Sequence, residues 1–272
     1  MATRLSETLA ALDGIAPLRL AEEWDNVGLL LEPRGDDPAV KKIFFTIDLT
    51  APVYDEAVAF GADFIVAYHP IIFGGLKRLT QAKPQSRTLL DAAARGIAIY
   101  SPHTALDAVD GGVNDWLLAG VGECHDIRPV SPSAGARPED GPAGSGRIGL
   151  LNTSASLTEL TGRLKAHLEL DFVRVAAASR HSEAAITSVA VCPGAGGGLF
   201  GAVRDVDLLV TGEMRHHDVL ARVANGCSVI LTEHTNCERG FLAGYAAQVA
   251  KALDGKVETS VSQRDADPLT VR

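Results

Sequence analysis

The sequence lacks the cysteine spacing and the long apolar runs that would indicate several common classes of protein. It has four cysteines, and no two of them form a C-x-x-C pair, which excludes a zinc ribbon and a dithiol redox motif. We therefore expect free, buried thiols in a reducing compartment. No apolar run approaches the roughly 18 residues that cross a bilayer, and the first residues carry charge where a signal peptide has an apolar core. These absences predict a cytoplasmic protein without a membrane partner.

Positive charge is also scarce. Lys and Arg number 25 against 34 Asp and Glu, so the formal net charge is −9 and the pI is about 5.3. Such a balance makes nucleic acid and anionic membrane surfaces poor general partners. Hydrophobic residues make up 46% of the chain and charged residues 22%, which predicts a substantial core. A length of 272 residues is enough for two domains of ordinary size.

Strand-like and helix-like segments alternate along both halves of the chain, which is typical of an α/β fold with mainly parallel, helix-covered sheets. A stretch rich in Pro, Gly and Ser covers residues 131–146 and reads as a linker. We therefore predict two similar lobes, 1–130 and 147–272. The predicted strands are Val27–Leu31, Lys42–Asp48, Asp63–Tyr68, Ile97–Tyr100, Arg147–Leu151, Phe172–Ala177, Ile186–Cys192, Val206–Val210, Ser228–Thr232 and Lys256–Val261. Ser156–Leu168 is predicted to be an amphipathic helix with Leu157, Leu160, Leu164 and Leu168 on one face.

Three of the predicted strands lead into a histidine: His69, His103 and His234. Pro70 ends the first of these strands at once, because proline has no N–H for the sheet. In open α/β sheets, ligands bind outside the carboxyl ends of the strands. The three histidines therefore lie where this class of fold places its chemistry.

Two of these histidines have a carboxylate four residues further on. Asp107 follows His103, and Glu238 follows His234 at the start of a predicted helix, a spacing that can place both side chains on one side. Imidazole and carboxylate together suit zinc, iron, manganese or nickel. The sequence thus indicates a divalent metal site. Two plainer interpretations stay open: a polar residue satisfied at a strand end, and a surface or capping pair on a helix.

Three further segments allow more than one interpretation. The glycine-rich turn 193–198 could hold a phosphate at a helix N-terminus or simply be a tight turn, and it lacks the Walker lysine. The polar segment 211–217 carries His216 and His217, which could contact ligands or a substrate, or form a solvated helix start. Trp24-Asp25-Asn26 is interpreted as a buried, hydrogen-bonded corner rather than as a catalytic acid.

Several motifs together resemble the Nif-three-like family, also called GTP cyclohydrolase I type 2-like proteins. They fall in the family's order and cover nearly the whole chain. The motifs are Trp-Asp-Asn-Val-Gly-Leu at 24–29, His-Pro-Ile-Ile-Phe at 69–73, His-Thr-Ala-Leu-Asp-Ala with Gly-Gly-Val-Asn-Asp at 103–115, Thr-Gly-Glu-Met-Arg-His-His at 211–217 and His-Thr-Asn-Cys-Glu at 234–238.

The resemblance implies a two-lobed α/β fold, a toroidal homohexamer and a dinuclear metal centre between the lobes, facing the interior of the ring. Carried over to this sequence, His69, Asp107 and Glu238 would hold one divalent metal ion. His234 and a bridging Glu238 would hold the second.

The sequence departs from the family at one position, where the usual His-His-Pro reads Tyr68-His69-Pro70. The second metal thereby loses an imidazole. A tyrosine phenolate can bind a metal, although the free pKa of tyrosine, near 10, makes it a reluctant ligand. Either Tyr68 is a ligand, or His103 compensates, or one of the two metal sites is weakened.

The activity named for the family opens the purine imidazole ring of GTP with water, and a metal ion would bring the pKa of that water towards neutrality. His103 is the candidate for proton transfer. The resemblance thus implies a metal-dependent hydrolase acting on a nucleotide-like or other small substrate. The alternative is a metal-binding hexameric ring without catalysis, serving as a scaffold, metal handler or regulator. Action on DNA threaded through the ring fits poorly with the net charge of −9.

Overall fold

The computed structural model describes residues 2–271, other than the side chain of Ala202. The α-helices in this range are α1 (Leu5–Ile15), α2 (Ala51–Phe60), α3 (Pro84–Arg95), α4 (His103–Ala108), α5 (Val113–Val121), α6 (Leu157–Leu168), α7 (His216–Ala224) and α8 (Phe241–Ala252). Short 3-10 helices cover Leu18–Leu20, Pro138–Asp140, Ser179–Ser182, Leu199–Ala202 and Thr235–Cys237. No helix among residues 2–271 has the length and apolar character needed to cross a membrane.

The β-strands of the same residues are short, and most of them belong to two sheets. They are β1 (Thr3–Arg4), β2 (Gly28–Leu31), β3 (Ala39–Val40), β4 (Lys42–Thr46), β5 (Phe64–Ala67), β6 (Ala98–Ser101), β7 (Cys124–Arg128), β8 (Ser131–Pro132), β9 (Gly144–Ser145), β10 (Arg147–Ala155), β11 (Arg174–Ala176), β12 (Ile186–Cys192), β13 (Leu208–Thr211), β14 (Ser228–Leu231) and β15 (Glu258–Val261).

The chain forms two compact units, and it passes through the first of them twice. The first unit comprises the residues up to Leu106 together with Phe241–Ala266, and the second comprises Asp107–Gly240 together with the residues from Asp267. This division differs from the predicted lobes, because β15 pairs in parallel with β4 and so belongs to the first sheet. The predicted linker contains β8 and β9, which pair with each other, and it lies within the second unit.

The first unit contains a five-stranded sheet in the order β15-β4-β5-β6-β2. All neighbouring strands are parallel except β2, which pairs antiparallel with β6 at the edge. Its central strands β5 and β6 are buried throughout and mostly apolar, as expected for parallel strands covered on both faces. Gly61 ends α2 with a φ of +80°, a left-handed conformation that glycine adopts without strain.

The second unit contains a six-stranded sheet in the order β11-β14-β13-β12-β10-β7. Only β12, β13 and β14 run parallel to one another, and the other pairings are antiparallel. The α/β fold with two sheet-containing lobes is confirmed, whereas the prediction of a mainly parallel sheet holds for the first unit alone. The leucine face predicted for α6 is buried against this sheet through Leu157, Leu160, Leu164 and Leu168.

Candidate metal centre

His69 follows β5, and its ring is oriented by the carboxylate of Asp48. The distance from His69 Nδ1 to Asp48 Oδ1 is 3.0 Å. Asp48 follows β4, the parallel neighbour of β5, so the two side chains emerge at the same edge of the sheet. A carboxylate only accepts hydrogen bonds when it is ionised, so this contact places the proton on Nδ1 and leaves Nε2 for a ligand. Sequence reasoning missed Asp48, although its position at the end of the predicted strand Lys42–Asp48 was a usable signal.

His103 is anchored in a similar way by Asp25. His103 Nδ1 lies 2.8 Å from Asp25 Oδ1, and Asp25 Oδ2 accepts hydrogen bonds from the backbone N–H and the hydroxyl of Thr104 at 3.1 and 2.5 Å. Burial raises the pKa of Asp25, but the hydrogen bonds from His103 and Thr104 outweigh it and hold that pKa below its usual value. Asp25 therefore remains an ionised anchor for the imidazole. The predicted hydrogen-bonded corner is confirmed for Asp25, whereas Trp24 is exposed.

The rings of Tyr68, His69 and His103 lie against one another. The centroid of His103 is 5.5 Å from that of Tyr68 and 5.4 Å from that of His69, both edge-on. Tyr68 is 2% exposed. His103 begins α4 with a φ of +24°, a conformation that is strained for a residue with a side chain. Strain of this kind is tolerated where surrounding contacts hold the residue, as those of Asp25 and Tyr68 do here.

The His234–Glu238 pair forms at the carboxyl end of β14. A 3-10 turn separates the two residues and brings His234 Nε2 to 3.7 Å from Glu238 Oε1. Glu238 is 3% exposed. His234 Nδ1 contacts the carboxylate of Glu213, which follows β13, the parallel neighbour of β14. The relation of Glu213 to His234 thus repeats that of Asp48 to His69.

In the polar segment after β13, the glutamate rather than the two histidines contacts a candidate metal ligand. His216 and His217 lie in the first turn of α7 and are exposed, as the interpretation of a solvated helix start predicts. Glu213 is the member of this segment that reaches His234.

The glycine-rich turn packs directly on the His234–Glu238 pair. A Cβ atom on Gly194 would lie 2.6 Å from Glu238 Oε1 and 2.9 Å from His234 Nε2, and the φ of Gly194 is +61°. The N–H of Gly194 donates to Cys237 Sγ at 3.3 Å, and its carbonyl accepts from the N–H of Glu213 at 3.0 Å. Glycine is required here because the backbone approaches the two side chains closely. This agrees with the interpretation of a tight turn.

In the second unit, His234 and Glu238 each offer one ligand atom, and these two atoms lie 3.7 Å apart. In the first unit, His69 offers an imidazole whose Nδ1 is held by Asp48. Two imidazoles and a carboxylate suit a divalent transition metal. Both histidines have Nδ1 on a carboxylate, which is the usual arrangement of metal-binding histidines. The donor atoms and the space that Gly194 leaves therefore fit a metal ion, while the same set of donors is compatible with several metals.

The other two predicted ligands lie close to parts of this group. Asp107 is in α4. Burial is the largest cause that raises the pKa of the Cys192 thiol, and the negative charge of Asp107 is the second, larger than the effects of Cys237 and Glu238. Tyr68 has its ring 5.1 Å from that of His69. The assignment of Asp107 and Tyr68 as ligands, and of His103 to proton transfer, stays a prediction.

The fold is shared with solved structures over nearly the entire chain. A Bacillus cereus protein related to NIF3 superposes with a TM-score of 0.86 and 20% identity, covering 100% of both chains. HcgD from Methanocaldococcus jannaschii, in its reduced form, superposes with a TM-score of 0.80 and 22% identity, covering 97% of this chain and 99% of its own. At these identities the likeness establishes the fold.

Sequence relatives are considerably closer. NIF3-like protein 1 of Drosophila melanogaster is 42% identical over 267 residues, covering 98% of this chain and 88% of the relative. The NIF3 homolog of Schizosaccharomyces pombe is 42% identical over 271 residues, covering 97% of each chain. The family model described as Duf34/NIF3 (NGG1p interacting factor 3) matches residues 3–268. The resemblance read from the motifs is confirmed, and the chain belongs to the Duf34/NIF3 family.

Proposed function

We propose that this protein is a metal-dependent hydrolase that acts on a nucleotide-like or other small substrate, in the manner that the resemblance to GTP cyclohydrolase I type 2-like proteins implies. The observation that supports it is the pair formed by His234 and the buried Glu238, whose Nε2 and Oε1 atoms lie 3.7 Å apart. His234 and His69 are each preoriented by a carboxylate at Nδ1, and imidazole together with carboxylate suits a divalent metal ion. Such an ion supplies a water molecule of lowered pKa and polarises an oxygen of the substrate.

The side chains around the group have separable roles. His69, His234 and Glu238 would hold the metal, with Asp107 and Tyr68 as further candidate ligands. Asp48 and Glu213 each keep the Nδ1 proton of one histidine in place, so that its Nε2 remains a ligand. Metal affinity should therefore depend on the two acidic residues as well as on the ligands.

His103 would transfer the proton. Asp25 holds Nδ1 of His103 at 2.8 Å, which leaves Nε2 as the ring nitrogen that can exchange a proton with a substrate. The ring centroid of His103 is 5.4 Å from that of His69, so the base would act beside the metal without having to bind it. An ionised Asp25 also stabilises the imidazolium that forms when His103 accepts a proton.

The test combines metal content with turnover. Metal per subunit is measured by elemental analysis, and the metal-loaded protein is then incubated with GTP and a panel of nucleotides and other small hydrolysable compounds. We expect turnover that is lost on chelation and in His69→Ala and Asp107→Asn. A metal-loaded protein that turns over nothing in a broad panel would contradict the proposal.

The second candidate function is metal binding without catalysis, as a scaffold, metal handler or regulator. Tyr68 favours it, because it places a buried phenol beside His69 where the family pattern has an imidazole. A site with one ligand fewer is compatible with relaxed catalytic demand. Metal-dependent turnover of any physiological substrate would argue against this candidate.

We further propose the toroidal homohexamer that the resemblance implies. Light scattering coupled to gel filtration should then give six times the chain mass of 28.5 kDa. A monomer or dimer at micromolar concentration would contradict this assembly.

A further inference from the structure

Two exposed aromatic side chains lie next to each other in the first unit. Trp24 is 62% exposed and Phe73 57% exposed, and their ring centroids are 6.1 Å apart. Trp and Phe dominate binding energetics because each offers a large rigid area, and such side chains are usually buried at least in part. A neighbouring exposed pair therefore points to something that covers it.

The pair continues into the candidate site through ring contacts. The Trp24 centroid lies 6.1 Å from that of His103, edge-on, and His103 in turn lies 5.4 Å from His69. The order of rings is thus Phe73, Trp24, His103, His69. A flat molecule resting on Trp24 would lie beside the proton-transfer candidate and one ring away from a candidate metal ligand.

Both aromatic residues are held in place by their chain neighbours. Asp25, next to Trp24, is fastened to His103 and Thr104. The side-chain amide of Asn26 donates to the carbonyl of Ile72, which precedes Phe73, at 2.5 Å. These bonds tie the segment of Trp24 to that of Phe73, so the pair is preorganised for a ligand.

The segment 74–87, which comprises the loop after Phe73 and the first turn of α3, is positively charged in a chain of net charge −9. It carries Lys77, Arg78 and Lys83 in the loop and Arg87 in α3, and residues 64–90 contain no Asp or Glu. All four cationic side chains are exposed. These cations closely follow Phe73 in the sequence. They can form ion pairs with a small ligand that carries a negative charge.

We propose that Trp24 and Phe73 bind a planar heterocyclic ring of the substrate, and that the cations of segment 74–87 bind an anionic group on the same molecule. The aromatic pair and this segment thereby select for molecules that combine both features. This rests on the proposed function for the role of His103, but ligand binding can be measured without turnover. The other possible occupant of the pair, a second copy of the chain, is an outcome of the test.

The test uses the full-length, metal-loaded protein and the fluorescence of Trp24. Trp116 is the other tryptophan of the chain, so Trp116→Phe leaves Trp24 as the reporter. The four common nucleoside triphosphates are titrated, together with guanosine, which lacks the charge, and ribose 5-phosphate, which lacks the ring. We expect the triphosphates to quench Trp24 and to bind more tightly than either partial molecule.

Calorimetry on variants then measures how much of the affinity comes from the aromatic pair and how much from the cations. Trp24→Leu should weaken binding of the triphosphates about tenfold or more, because stacking on an aromatic side chain is lost, whereas Trp24→Phe should retain most of the affinity. Phe172→Leu is the matched control, since Phe172 is 66% exposed in the second unit. Lys77→Glu together with Arg78→Glu should weaken the triphosphates but not guanosine, and Lys251→Glu is the control for charge.

The results separate this inference from the proposed function. No binding of any triphosphate, or unchanged affinity in Trp24→Leu, overturns the inference. So does a Trp24→Leu protein that changes its oligomeric state at unchanged affinity, because Trp24 then packs on a second copy. Binding through Trp24 without turnover contradicts the hydrolase alone. Normal turnover of a nucleotide by Trp24→Leu at low substrate concentration contradicts the inference alone.

Discussion

Gly194 lies so close to Glu238 that the backbone at this position has no room for a side chain. A Cβ atom on Gly194 would be 2.6 Å from Glu238 Oε1, well inside van der Waals contact, and the neighbouring His234 Nε2 would be 2.9 Å away. The glycine-rich turn therefore determines where the carboxylate and the imidazole can lie. The candidate metal centre depends on a residue that carries no ligand atom.

Gly194→Ala should reduce metal affinity by an order of magnitude or more. The new methyl group must displace Glu238 or His234, and alanine is strained at a φ of +61°, by about 1–2 kcal/mol. Gly198→Ala is the matched control, since a Cβ atom there meets nothing within 4 Å. Chelator competition measures the affinity. Equal affinity of the two variants would show that Gly194 does not shape the centre.

Asp48→Asn should weaken metal binding by about 10- to 100-fold, the effect expected when a histidine ligand loses its carboxylate partner. The amide can still accept a hydrogen bond from His69 Nδ1, but it no longer carries the charge that makes Nε2 a better ligand. Asp55→Asn, an exposed change on α2, is the control. An unchanged affinity in Asp48→Asn would mean that His69 does not bind the metal through Nε2.

Tyr68→His should raise the number of metal ions per subunit, because it restores the imidazole that the family pattern has at this position. Tyr68→Phe distinguishes the alternatives: it should lower metal content only if the phenolate is itself a ligand. Elemental analysis of the three proteins decides between them. A content near two in all three would mean that a neighbouring group already completes the second site.

Arg147→Met should cost about 3–5 kcal/mol of unfolding free energy, because it leaves an acidic partner and several carbonyls without their donor. Arg147 is fully buried, contacts Asp115 through two nitrogens at 2.7 and 2.9 Å, and donates to the carbonyls of Gly144 and Gly146. Arg163→Met removes an exposed helix pair and should cost at most about 1 kcal/mol. Urea denaturation of both variants measures the two losses of unfolding free energy. Similar losses would contradict the larger structural role of Arg147.

The ionised carboxylate of Asp207 should stabilise the folded protein, and this stabilisation should be lost in acid. Burial raises the pKa of this carboxyl, but hydrogen bonds from Thr187 and Ser188 and the charge of Arg180 outweigh it, so the pKa lies below the ordinary 3.8. Because the pKa of Asp207 is lower in the folded protein than in the unfolded chain, its ionised form stabilises the fold. This stabilisation is complete above the pKa of the unfolded chain and is lost as the pH falls through the pKa of the folded protein.

The stability difference between the native protein and Asp207→Asn should therefore be constant near neutrality and shrink below about pH 4. Urea denaturation from pH 3 to 7 measures it. The exposed Asp205 provides the control variant, Asp205→Asn. A difference that persists unchanged at pH 3 would show that Asp207 acts through shape rather than charge.

Local pattern was sufficient for most elements and for one pair of candidate ligands, His234 and Glu238. The run Phe64–Ala67 followed by Pro70 predicted a strand that ends at His69, and the four-residue spacing predicted the meeting of His234 with Glu238, which lie 3.7 Å apart. The leucine period of α6 likewise predicted its buried face. Each of these signals depends on residues within a few positions of one another, where backbone geometry alone sets the relation.

Relations between distant segments were not predictable in this way. That Asp48 orients His69, that Glu213 orients His234 and that β15 joins the first sheet all follow from the order in which strands pair. Strand order is set by the packing of whole faces, and no single window of sequence records it.

The sequence by itself determined that His69 and His234 follow strands and that His234 and Glu238 can meet, because strand ends and residue spacing are local properties. Only the tertiary structure decided which carboxylates hold the histidines and that the turn at Gly194 presses on Glu238. Those contacts come from parallel strands of one sheet, whose carboxyl ends meet in space while remaining far apart along the chain.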